Sequence, residues 1–166
     1  MGVDCLRSEQ RYSCILLDPP WNNKSVRRSS SYSTLPPSAL LSLPIRQLLR
    51  DDIGLVAVWV TNSSRFQHFV KHELFDRWNV EYLATWFWVK ITSSGHLVGP
   101  LESEHRKPFE PLILGRIKSK SVPPRVTSVV QDQQLIWSMP AQHSRKPPIH
   151  GIAFVPRPAP LSSDIT

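Results

Sequence analysis

Four consecutive residues, Asp18-Pro19-Pro20-Trp21, are the part of this sequence best suited to chemistry. Each proline fixes its own φ and pushes its predecessor toward extended geometry, so the segment is stiff and its carbonyls point in set directions. An adenine amine is a poor nucleophile because its lone pair is delocalised into the ring. Two acceptors on its hydrogens, the Asp18 carboxylate and a proline carbonyl, would draw that nitrogen toward tetrahedral geometry and free the lone pair. A methyl group passing in line from a sulfonium would then need positioning and electrostatics, not a metal. Trp21 adds a π face on which an adenine turned out of its stack can lie, a contact worth ~1–3 kcal/mol per base. The plainer alternative is a turn with an aromatic plug, and a tetrapeptide alone does not decide between them.

The residues that follow fit a nucleic acid. Lys24, Arg27 and Arg28 precede Ser29-Ser30-Ser31-Tyr32, a basic, hydroxyl-rich stretch suited to phosphates beside a base pocket, or else simply a solvated loop. Arg116, Lys118 and Lys120 could extend such a surface or be an ordinary charge run. His68 and His72 have the spacing of a His-Glu-x-x-His metal site but no carboxylate between them, so they read as a polar helix face and no metal is expected. The sequence contains no Gly-x-Gly-x-x-Gly cofactor loop.

These residues need elements to hold them, and the apolar runs supply candidates. Ser13 to Leu17 and Gly54 to Val60 are continuous rather than alternating, as buried parallel strands are. Ser64 to Trp78 carries Phe66, Phe69, Val70 and Leu74 near helical spacing and predicts an amphipathic helix. Val80 to Ile91, rich in aromatic and β-branched residues, predicts a long strand; Leu112 to Gly115 and Leu135 to Trp137 predict two shorter ones. Thr92 to Lys107 reads as an extended functional loop. The sum is an α/β fold with a mostly parallel sheet, in which Asp18 leaves the first strand at the carboxyl edge where ligands collect.

Bulk properties agree with one such domain. The chain has 166 residues and a mass of 19.0 kDa, enough for one core. Lys plus Arg number 20 against 13 Asp plus Glu, a net charge of +7, which favours a polyanionic partner or marks a generic basic surface. Of the two cysteines, Cys14 lies in an apolar run and is expected to be a small buried hydrophobe, Cys5 lies apart from it, and the pair points to a reducing compartment. No apolar stretch approaches the ~20 residues that span a bilayer, and no secretory signal opens the chain. A soluble intracellular protein with no membrane partner is expected.

Taken with Asn23-Lys24-Ser25-Val26, Trp59-Val60-Thr61-Asn62, Trp88-Val89-Lys90-Ile91-Thr92, the block from Lys107 to Arg116, and Lys146-Pro147-Pro148, the motif resembles the MT-A70 family of adenine-amino methyltransferases. The resemblance runs from about Tyr12 to Pro148. It implies a Rossmann-like S-adenosylmethionine-dependent fold with permuted motif order, and methylation of adenine N6 in RNA, notably small nuclear RNA, or in DNA. It also implies a nuclear location, with a cytosolic one alongside. By resemblance, Asp18, Pro19, Pro20 and Trp21 are catalytic. Asn23, Lys24, Ser25, Arg27, Arg28, Tyr32, Trp88 and Lys90 border the nucleic-acid substrate, and Asn62, Lys107, Glu110 and Lys146, together with Asp18, border S-adenosylmethionine.

Two departures stand out. Asn22 occupies a position where close relatives are expected to be acidic. After Pro148 the family continues into a helix, a strand ending in a Glu-Leu-Phe-Ala-Arg type motif and a Gly-Asn segment, whereas this chain reads Ile149-His150-Gly151-Ile152-Ala153-Phe154 and then a proline-rich tail. Residues 11–148 are therefore expected to form a partial methyltransferase domain, and 149–166 a divergent tail without fixed structure. A partial sheet has an open edge, so self-association or a completing partner chain is expected as well. Three outcomes stay open: an active enzyme, an inactive relative that binds nucleic acid or partners, and a fragment that does not fold.

Overall fold

The apolar runs do become strands. A computed structural model describes residues 11–21, 36–51, 54–103, 107–118, 130–141 and 145–149. Within these, β1 (Cys14–Leu17), β2 (Leu55–Trp59), β3 (Val80–Lys90), β4 (Phe109–Ile117) and β5 (Leu135–Ser138) form one five-stranded sheet in the order β1-β2-β4-β3-β5. β1 lies parallel to β2 and β5 parallel to β3, while β4 is antiparallel to both its neighbours. Four strands thus share one direction and β4 runs against them through the middle. The expectation of a mostly parallel sheet is corrected to a mixed one, since a chain that turns back beside the strand it has just left must pair with it antiparallel. β4 is also longer than its apolar run suggested, taking in Phe109 and Glu110 at its start.

The helix expected over 64–78 is present in three pieces, α3 (Ser64–His68), a π segment (Phe69–Leu74) and α4 (Phe75–Arg77). Phe66, Val70, Leu74 and Trp78 are spaced by four, which overruns the 3.6-residue turn of an α-helix. The wider i→i+5 winding of the π segment absorbs the overrun and keeps all four on the sheet. Asn79 closes the helix at φ 56°, a left-handed position that Asn tolerates, and its backbone carbonyl accepts from the Lys118 N–H at 2.8 Å. Two short helices, α1 (Pro37–Leu40) and α2 (Ile45–Leu48), lie between β1 and β2 and had no sequence expectation; Pro37 begins α1, where its fixed φ suits a first helical residue.

These helices cover one face of the sheet. Val56, Val58, Val60, Ile113 and Ile117 pack there against Phe66, Val70, Leu74, Phe75 and Trp78. Gly115 makes the approach possible, because a Cβ there would stand 2.6 Å from Phe75 Cε2. The opposite face buries Ala57, Trp59, Ala84, Trp86, Trp88, Leu112 and Leu114, with Ile136 and Ile149 against them. β3 serves both faces through a bulge between Tyr82 and Ala84: Val80 faces the helices, and beyond the bulge Ala84, Trp86 and Trp88 face away.

Exposure at the sheet margins corrects one expectation. Ile15 and Leu17 pack toward the helices, but Cys14 and Leu16 on the other face of β1 are exposed. Cys14 is therefore not buried, because β1 is a marginal strand covered on one side only. At the far margin Leu135 and Trp137 of β5 are also more than half exposed. Among the described residues no further strand pairs with the outer side of β1 or β5.

Candidate active site at the carboxyl edge of the sheet

β1 leads directly into Asp18, β2 into Thr61-Asn62, and β3 ends at Lys90. Because β4 runs the other way, it begins where they end, and its register sets Phe109 beside Val89 and Glu110 beside Trp88. Four strands therefore deliver polar residues to one edge. Lys146, carried by the 145–149 segment, joins them there.

The charged groups form a continuous chain across the edge. Lys90 Nζ pairs with Glu110 Oε1. Lys146 Nζ lies 2.8 Å from Glu110 Oε2 and 3.5 Å from Asp18 Oδ1. Both lysines also stand near indoles, Lys90 at 4.8 Å from the Trp88 ring centre and Lys146 at 5.9 Å from that of Trp59. Burial opposes the charge on Glu110, yet the two lysines outweigh it and hold its carboxyl below the ordinary range. Asp18 is shifted the other way: burial pushes its carboxyl up, Lys146 resists, and the nearby charge of Glu110 adds to the rise. Its side chain remains half exposed, open to a ligand approaching the edge.

One backbone hydrogen bond closes the motif on itself. The Trp21 N–H donates to the Pro19 carbonyl at 2.8 Å, which sets that carbonyl's direction and leaves it a second lone pair. Trp21 itself corrects an expectation. Its indole is 6% exposed, donates through Nε1 to the Trp59 carbonyl at 2.8 Å, and packs on Phe66 with ring centres 4.9 Å apart and on Phe69 at 6.5 Å. It is a core plug beneath the site, not an open stacking face, because α3 and the π segment bring two phenylalanines against it. Trp88 is likewise fully buried on the far face, and its Nε1 donates to Ser138 Oγ at 2.7 Å, so it does not border a substrate cleft.

The remaining expected residues divide. Asn62 Nδ2 donates to the Phe109 carbonyl at 2.7 Å, tying β2's exit to β4's entry. Lys107 is exposed, its ammonium 5.6 Å from the Phe109 ring centre, outside the charged chain. Asn23, Lys24, Ser25, Arg27, Arg28 and Tyr32 lie outside the described residues. Arg116 is mostly buried in its pair with Glu81, Lys118 pairs with Asp76 at the surface, and Lys120 lies outside the described residues. His68 and His72 stack with ring centres 4.4 Å apart, and among the described residues no group of three or more metal-ligating side chains exists. Nor is any described helix long and apolar enough to cross a membrane. The support under Trp21, from Trp59, Phe66 and Phe69, went unread in the sequence; the signal was two phenylalanines three apart just past a strand end.

With this geometry in place, comparison with known proteins is informative. The family model described as MT-A70 matches residues 12–154. The mouse and human proteins named N(6)-adenine-specific methyltransferase METTL4 are each 45% identical, over 87% of this chain and 32% of their own length. The protein of Pyricularia oryzae named N6-methyladenosine RNA methyltransferase MTA1 is 38% identical over 89% of this chain and 40% of its own. The chain thus spans roughly a third of the length of the METTL4 proteins it matches.

Proposed function

Since this chain belongs to the MT-A70 family, we propose that it transfers a methyl group from S-adenosylmethionine to the N6 amine of adenine in nucleic acid. The observation that carries this reading is the half-exposed Asp18 carboxylate at the carboxyl edge, next to a proline carbonyl of fixed direction. Asp18 and the Pro19 carbonyl would each accept one hydrogen of the amine, localising its lone pair. The donor set suits the cofactor too, since a sulfonium cation is favoured beside the half-exposed Asp18 carboxylate. When bound, S-adenosylmethionine supplies the electrophilic methyl. The amine proton released after transfer would leave through Asp18, whose raised carboxyl range makes it a better proton acceptor than an ordinary aspartate.

The net charge of +7, with Arg27 and Arg28 following the motif, supports a polyanionic substrate, RNA or DNA. Calorimetric titration with S-adenosylmethionine, and methyl transfer to adenine-containing RNA and DNA oligomers, test the reading. Asp18→Ala should abolish transfer while leaving nucleic-acid affinity largely intact. Transfer that survives this change would overturn the mechanism. Affinity for nucleic acid without cofactor binding would instead make the chain a binding module.

A further inference from the structure

Lys146 was expected at the cofactor, yet its ammonium is spent on two carboxylates of the protein itself. The unequal distances, 2.8 Å to Glu110 and 3.5 Å to Asp18, show how it is shared. Glu110 anchors it with a full hydrogen bond. Asp18, at the outer limit of hydrogen-bond distance, receives at most a weak bond and feels mainly its charge. That difference matters, because a lysine closely bonded to Asp18 Oδ1 would compete with a substrate amine for that oxygen. Lys90, holding the other oxygen of Glu110, neutralises part of the negative charge that would otherwise bear on Asp18. The backbone after Lys146 is stiffened by Pro147 and Pro148, and the lysine side chain is only 17% exposed, so its placement is built in.

We propose that Lys146 is a positioning residue for the reaction, an ammonium clamped by Glu110 that keeps the Asp18 carboxylate charged and aimed while leaving lone pairs free for the amine. The assignment rests on the reading of Asp18 as acceptor of the amine. Its consequence is that residues 145–149, far from the motif in sequence, govern the motif's electrostatics. Loss of the Lys146 charge leaves burial and Glu110 to act on Asp18 unopposed. Loss of the Glu110 charge removes a repulsion and frees Lys146 to close on Asp18.

The test is a carbon-13 NMR titration of the Asp18 carboxyl in the full chain, without substrate, for the wild type and for Lys146→Gln, Lys146→Arg and Glu110→Gln. Lys146→Gln should move the Asp18 midpoint up, Lys146→Arg should return it toward the wild-type value, and Glu110→Gln should move it down. Shifts of opposite sign distinguish a charge relay from general loosening, which would move both the same way. An unmoved midpoint in Lys146→Gln, or an upward or absent shift in Glu110→Gln, overturns the proposal; should Lys146→Gln not fold, Lys146→Met is titrated in its place and read the same way. In methyl-transfer assays Lys146→Gln should lower kcat on the order of 10- to 100-fold, with the acid limb of the pH profile moved up and KM for nucleic acid little changed. A wild type that shows no methyl transfer removes the functional reading, while the titration still decides the role of Lys146.

Discussion

The helix-covered face of the sheet and its carboxyl edge are built on opposite principles. On the face, Phe66, Val70, Leu74, Phe75 and Trp78 meet β2 and β4 with no charged partner among them, and cohesion comes from area removed from water. At the edge, Asp18, Lys146, Glu110 and Lys90 are held by charge, with one carboxylate left half exposed. The first arrangement tolerates little change in volume, while the second tolerates volume and answers to protons and salt. Trp21 belongs to both: its ring sits in the core and its backbone N–H fixes the motif's carbonyl.

Substitutions can sharpen that contrast. Trp78→Ala, emptying a site 1% exposed, should cost about 3–5 kcal/mol in denaturant unfolding and leave the pH dependence of stability unchanged in shape. Trp21→Phe removes the indole N–H from a buried carbonyl and should cost about 2 kcal/mol, with a loss of methyl transfer larger than that stability loss explains. Equal losses would place Trp21 wholly in the core.

Glu110→Gln should cost about 1–2 kcal/mol at neutral pH and act mainly through protons. A carboxyl held below its ordinary range contributes stability that is present above that range and disappears as the pH falls through the lowered value. Asp18, raised, contributes in the opposite sense, its share present at low pH and lost as pH rises through the raised value. Glu110's share falls toward acid pH and Asp18's runs against it, so thermal melts of Glu110→Gln should show less loss toward acid than the wild type; an identical acid slope would detach Glu110 from the edge's stability. Smallest of all, Lys118→Met, which removes an exposed pair with Asp76, should change stability by no more than about 0.5 kcal/mol.

The sequence disclosed the strands because continuous apolar runs survive any arrangement of their neighbours. It disclosed the motif's place because β1 runs straight into Asp18. Strand direction was hidden: nothing in Leu112 to Gly115 says whether that run travels with β2 or against it. The faces of β3 were hidden too, since strict alternation from Val80 would put Trp86 and Trp88 under the helices, and only the bulge after Tyr82 turns them away. Aromatic residues in a motif can also stack on a ligand or plug a core, and Trp21 and Trp88 both turned out to plug. Glu110 and Lys146 were singled out by resemblance, but their mutual contact depends on pairing across sequence separations that spacing does not reveal.

The reversed direction of β4 has a consequence for how such a protein can change. Because β3 leaves at the carboxyl edge and β4 enters there, the described residues 91–103 and 107–108 belong to the crown of a hairpin at that edge. A crown can lengthen or shorten at small entropic cost, without disturbing the pairing beneath it. Length can thus change at that crown while Asp18, Glu110 and Lys146 keep their places at the edge.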